Sequence, residues 1–193
     1  NSAFAQGHYF NVGLIAARSQ QAVLIDQHCE FIQSNWLETL LGYIEHEHVA
    51  AAAPVLLDGS SMIVSAGLAF SPEPQHIAAG HYVAELGPVG MFAIARECLG
   101  VSTHCALVDV DAVKSVGGFS TEFSTRLFDF DLAAKLHGAG LHAIVTPLVN
   151  VRTSADVREL AVERSVLAQR WGHLSGRDPY TRVETRALLP ALI

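Results

Sequence analysis

Ala22-Val23-Leu24-Ile25 runs without a break into a charged residue, Asp26. A short apolar run with no alternation suits a strand buried on both faces, the condition of a sheet covered by helices. A charge placed immediately after such a run has to sit at the rim, where solvent or a ligand satisfies it. The chain is therefore expected to be an α/β domain with a carboxylate ending an early buried strand.

The remaining elements fit that class. Asn11 to Ser19 reads as a short helix with Leu14, Ile15 and Ala17 on its apolar face. Leu37, Leu40, Leu41 and Ile44 recur at helical spacing in Trp36–Ile44, with Ser34 or Asn35 as cap. Ala51 to Leu57 predicts a strand, Asp58-Gly59 a turn, and Met62-Ile63-Val64 a returning strand. Prolines and glycines make Phe70 to Gly90 an expected surface excursion. Ala106 to Val110 predicts a strand, Asp111 to Val116 a helix closed by Gly117-Gly118, and Phe119 an inward anchor at the bend. Asp129 to Ala139 predicts a helix with Leu132, Ala133 and Leu136 inward. Leu141 to Val145 predicts a strand that Pro147 stops, and Val157 to Trp171 a last helix. The expected fold is a mixed, mainly parallel sheet flanked by helices over 1–180, with a tail at 181–193.

Half of the 193 residues are hydrophobic and 16% are charged, which suits a folded core rather than a disordered chain. Twelve basic against nineteen acidic residues give −7, so the average field repels nucleic acid and acidic lipid. No stretch reaches the roughly eighteen apolar residues that a bilayer span needs. Cys29, Cys98 and Cys105 form no close pair, which fits a reducing compartment better than a disulfide framework, although one bridge stays open. The expected location is the cytoplasm, with the inner face of a membrane as an option.

Two segments carry chemistry. In Asp26-Gln27-His28, Asp26 offers a hard oxygen and His28 a neutral nitrogen to Mn2+ or Mg2+, and such an ion offsets charge on a departing phosphate. Ordinary hydrogen bonding at the strand rim is the alternative. In Asp129-Phe130-Asp131, both acids suit the positive end of a helix, though neighbouring positions diverge by about 100°. Asp129 can take a proton from an acceptor hydroxyl and Asp131 can bind that acceptor or orient the loop. Simple capping is the alternative. His104 precedes a strand and reads as structural, while His76 and His81 face either an acceptor or solvent. Arg126 and Arg152 can approach phosphates or carboxylates, or remain solvated. The ten histidines form no HExxH pattern, and no Walker A loop or dinucleotide fingerprint joins the glycines. Cys29 beside His28 is not a dyad by adjacency alone.

Taken in order, Asn11-Val12-Gly13-Leu14, Val23-Leu24-Ile25-Asp26-Gln27-His28, Trp36-Leu37, Asp58-Gly59, Val116-Gly117-Gly118-Phe119 and Phe128-Asp129-Phe130-Asp131-Leu132 resemble the catalytic domain of an inverting family 2 glycosyltransferase of GT-A fold. The resemblance runs from about Phe4 to Trp171. It implies transfer of a sugar from a nucleotide diphosphate donor to a carbohydrate or other hydroxyl acceptor, with Mn2+ or Mg2+. It makes Asp26 and His28 the metal ligands and Asp129 the base; Asp131 or residues from His76 to His81 would orient the acceptor, and Arg152 would add positive charge against phosphate or form a surface pair. Three departures accompany it: His28 stands where the family has an aspartate, Phe128 where it has a carboxylate, and Arg152-Thr153 where a histidine is common. The family's earlier strand and nucleotide-base contacts find no counterpart ahead of Asn11, so a preceding portion or second chain is expected to complete the site. The alternative reading is a non-catalytic sugar- or nucleotide-binding domain derived from the same fold.

Overall fold

The computed structural model describes residues 6–71, 73–154 and 161–180. A helix, α1 (Gln6–Ala16), leads into β1 (Gln21–Ile25), the strand that the apolar run predicts. A turn through Asp26 and His28 gives β2 (Cys29–Phe31) and then α2 (Trp36–Ile44), whose Leu40 and Ile44 are buried. The long strand β3 (Val49–Leu57) is followed by β4 (Ile63–Ser65), a hairpin of β5 (Leu68–Phe70) and β6 (Pro74–His76), and β7 (Arg96–Cys98). After them come β8 (Cys105–Asp109), α3 (Val110–Ser115), α4 (Leu127–Gly138), β9 (His142–Thr153) and α5 (Ala161–Trp171). The expected tail at 181–193 and the start of the last predicted helix lie outside the described residues.

The central sheet has the order β1-β8-β3-β9-β2, with β4 beside β3 and β7 beside β9. Its two faces are both covered. Ala52 and Leu107 meet Leu40 and Ile44 of α2, while Ala51, Ala53 and Val55 pack with Leu132, Ala133 and Leu136 of α4. The mixed α/β architecture is the one the sequence predicts, with one correction. Among the described residues only β3 and β9 pair in parallel; β1–β8, β8–β3 and β2–β9 are antiparallel. A strand covered on both faces is continuously apolar in either direction, so its composition could not tell parallel from antiparallel.

Two further expectations are revised. Pro147 does not end its strand: pairing with β3 jumps from Thr146 to Asn150 opposite Pro54 and Val55, and Pro147 lies in that bulge, where its missing N–H breaks no ladder bond. Phe70 is core rather than surface excursion, because it packs edge-on against Phe130 at 5.9 Å. Gly117 and Gly118 close α3 with φ of 86° and 71°, the left-handed geometry that glycine adopts without strain. Phe119 turns inward beside them, against Phe128. No helix among the described residues is long and apolar enough to cross a membrane.

Helix α4 is buried nearly all round, from Leu127 to Ala134. Its five large apolar side chains, Leu127, Phe128, Phe130, Leu132 and Leu136, each contribute about 1.5–3 kcal/mol by leaving water. Close approach sets its position: a β-carbon on Gly100 would lie 2.2 Å from that of Ala133. Gly100→Ala should therefore destabilise the fold by about 1–3 kcal/mol through overpacking, read as a lower urea midpoint with unchanged slope.

Candidate active site

Strands β1 and β3 both run antiparallel to β8, and β3 runs parallel to β9. The carboxyl ends of β1, β3 and β9 therefore share one edge of the sheet with the amino end of β8. Ligands of open α/β sheets bind beyond such carboxyl ends. Asp26 leaves β1 there, and Ser102, Thr103 and His104 enter β8 there. Asp58, past β3, is spent on its turn, where its Oδ1 accepts from the amides of Ser60 and Met62.

Asp26 uses both carboxylate oxygens. Its Oδ1 meets the His28 amide at 3.0 Å and His28 Nδ1 at 2.7 Å, and its Oδ2 accepts from Arg126 Nη2 at 2.5 Å. Partial burial pushes this carboxyl up, but the two His28 bonds and the guanidinium outweigh burial and hold it below the usual range. Arg126, only 9% exposed, sits at the residue preceding α4 and also donates through Nη1 to Thr103 Oγ1 at 2.8 Å. Thr103 in turn donates its hydroxyl to Asp129 Oδ1 at 2.6 Å and its amide to Oδ2 at 3.0 Å. One guanidinium and one hydroxyl thus join Asp26 to Asp129, and the first of these contacts, Arg126 to Asp26, spans 100 positions of the chain.

Asp129 is 2% exposed, and burial pushes its carboxyl up to about 6 against the lowering influence of Arg126, Thr103 and Ser102. Ser102 completes the arrangement, with its Oγ 2.8 Å from His104 Nδ1 and 3.3 Å from Asp129 Oδ2. The His104 carbonyl accepts from the Asp26 amide and from Cys29 Sγ, so the same residue fixes the turn that carries Asp26. Burial and the nearby Arg126 charge lower the His104 imidazole to about 3 and that of His76 to about 4. Both rings are neutral at physiological pH, and His104 Nε2 and His76 Nδ1 are buried without a hydrogen-bond partner. Burial also raises the Cys29 thiol, which disfavours a thiolate nucleophile beside His28.

Of the residues singled out from sequence, Asp26, His28 and Asp129 come together and two others do not. Asp131 points into the α4–α5 contact, bonded to Lys135, Arg170 and Trp171. Arg152 stands on β9 with a side chain 45% exposed, 3.8 Å from Glu30 on β2. Phe128 is core, stacked edge-on against Phe119 and Phe10. Arg126, read from the sequence as a phosphate or carboxylate contact, does reach a carboxylate, that of Asp26. Ser102 and Thr103 are the members that sequence reasoning passed over, because their roles come only from contacts with Asp129 and Arg126.

The fit to a divalent ion is poor. Asp26 and His28 supply one carboxylate and one imidazole, and no group of three His, Cys, Asp or Glu side chains that could hold a metal occurs among the described residues. Both Asp26 oxygens already have partners, and an ion at that carboxylate would stand against a guanidinium.

No family model matches the chain, and no curated protein matches it by sequence. Solved structures do match it in shape. GalNAc-T7 with UDP, GalNAc and Mn2+ superposes with a TM-score of 0.63 at 12% identity, over 93% of this chain and 40% of that one. A mannosyltransferase from Pyrobaculum calidifontis, in complex with GDP-Man and Mn2+, gives 0.58 at 16% identity, over 95% and 48%. The fold is GT-A-like. At these identities the likeness speaks for the fold alone, and the chain spans less than half the length of either structure.

Proposed function

We propose that this chain forms the transfer centre of a glycosyltransferase that moves a sugar from a nucleotide diphosphate to an acceptor hydroxyl with inversion, as family 2 enzymes do. The convergence of Asp26 and Asp129 through Arg126 and Thr103, at the carboxyl edge of a GT-A-like sheet, carries this reading. Asp26 orients Arg126 and His28 toward the diphosphate. Asp129 removes the proton from the acceptor hydroxyl as that oxygen attacks the anomeric carbon from the face opposite the leaving group. A carboxyl raised to about 6 by burial is suited to proton exchange near neutral pH. The long 3.3 Å bond from Ser102 gives way to one from the acceptor when substrate arrives, while Thr103 stays in place.

A second reading follows from one observation: Asp129 is buried and already accepts three hydrogen bonds, which also suits a structural hub in a binding domain. The two readings separate when the full-length protein is incubated with UDP- and GDP-sugars and hydroxyl acceptors. Transfer predicts stoichiometric release of UDP or GDP and a product of inverted anomeric configuration by NMR. Donor binding with no release and no product would establish the binding domain instead.

A further inference from the structure

We propose that Arg126 is the resident cation of this site, meeting the donor diphosphate where a divalent ion would otherwise stand beside the strand-ending carboxylate, so that donor capture needs no metal. This inference rests on the donor reading above and goes beyond it in naming the group that holds the phosphates.

The geometry points to Arg126 in several independent ways. Its guanidinium lies against Asp26 Oδ2, the position open to a metal in a strand-rim site. It is fixed from the other side by Thr103, which Asp129 and the backbone at 103 hold in turn. A guanidinium carries five N–H donors in a rigid plane, and the bonds to Asp26 and Thr103 engage two of them. That fork matches phosphate oxygens in pairs, and a weakly hydrated guanidinium gives up less water than an ammonium. Because the side chain is held before the ligand arrives, little rotamer freedom is lost on binding. The buried imidazoles of His76 and His104, both lowered by burial and by the Arg126 charge, bring no competing positive charge. The diphosphate takes N–H groups that Asp26 and Thr103 leave open, so both keep the guanidinium in place as the ligand arrives.

The test titrates full-length protein with UDP and with GDP by calorimetry, in EDTA and again in Mn2+. At least one nucleotide should bind in EDTA with a Kd within about threefold of that in Mn2+. Arg126→Gln should weaken that binding about 30-fold, the scale of lost charge-assisted hydrogen bonds, and Arg126→Lys by less. The free Mn2+ resonance should be undiminished when wild-type protein is added without nucleotide. Binding that appears only with Mn2+, or stoichiometric loss of the free Mn2+ signal, overturns the inference and leaves the donor reading standing. Wild-type affinity in a folded Arg126→Gln protein overturns it too. The EDTA comparison needs no variant, so it decides the matter even if Arg126→Gln does not fold. Failure of UDP and GDP to bind under either condition defeats the donor reading itself, and this inference with it.

Discussion

Asp129→Asn should lower glycosyl transfer by about 10²–10⁴-fold, the range for loss of a general base, while changing donor affinity by no more than a few-fold. The substitution keeps the volume of the side chain and one carbonyl oxygen for Thr103, so the link to Arg126 persists in shape. What disappears is a group that can hold a proton. The pH profile gives a sharper readout. In the wild type, transfer should fall as pH drops through about 6, where Asp129 becomes protonated. The variant's residual activity should lack that limb. Stability supplies an independent check. A carboxyl raised in the folded state favours folding fully below its unfolded pKa of 3.8, and that contribution is lost as pH rises through about 6. The wild-type unfolding free energy, less that of the variant, should therefore fall across this window by up to about 3 kcal/mol. His76 and His104 act in the opposite direction, being buried neutral and destabilising once they must charge at low pH, but they titrate in both proteins and cancel in the difference. If transfer by Asp129→Asn equals that of the wild type, the base assignment is wrong.

What was legible in the sequence follows from what local chemistry records. Ala22 to Ile25 announced a strand with Asp26 at its end, but not one buried on both faces: β1 stands at the edge of the sheet, with Leu24 its only buried residue and Ile25 44% exposed. Trp36 to Ile44 and Leu132 to Leu136 announced helices through their spacing. Strand direction left no such trace, since β8 is as apolar as its neighbours. Pro147 was misread because a bulge is a tertiary event, set by the pairing with Pro54 rather than by the residues around it. The site was half visible. Asp26 and Asp129 were recognisable as acids at element ends, but the groups that join them, Arg126 and Thr103, are ordinary residues whose roles come from a contact spanning a hundred positions. Arg152 drew attention because it falls at a family position, yet it lies exposed on β9 opposite Glu30.

Asp131 tests the opposite kind of effect, on the fold rather than on the chemistry. It is fully buried on α4, and its oxygens sit 2.6 Å from Lys135 Nζ, 2.8 Å from Arg170 Nη1 and 2.9 Å from Trp171 Nε1. Burial pushes this carboxyl up, but its bonds to Lys135, Trp171 and Arg170 outweigh that and hold it below the usual range. It therefore stabilises the fold above the ordinary carboxylate pKa, and that stability is lost as pH falls through the lowered value. Asp131→Ala removes the only carboxylate that ties Lys135 on α4 to Arg170 on α5 among the described contacts. Breaking a buried ion pair costs about 3–5 kcal/mol, and the low end applies because both cations can still reach water. A loss of about 3 kcal/mol should lower Tm by roughly 6–12 °C for a domain of this size, read by circular dichroism. The same variant, assayed well below its melting temperature, should bind donor as the wild type does, because Asp131 diverges from Asp129 by about two helical steps. An unchanged Tm together with abolished transfer would reverse this assignment and make Asp131 an acceptor contact after all.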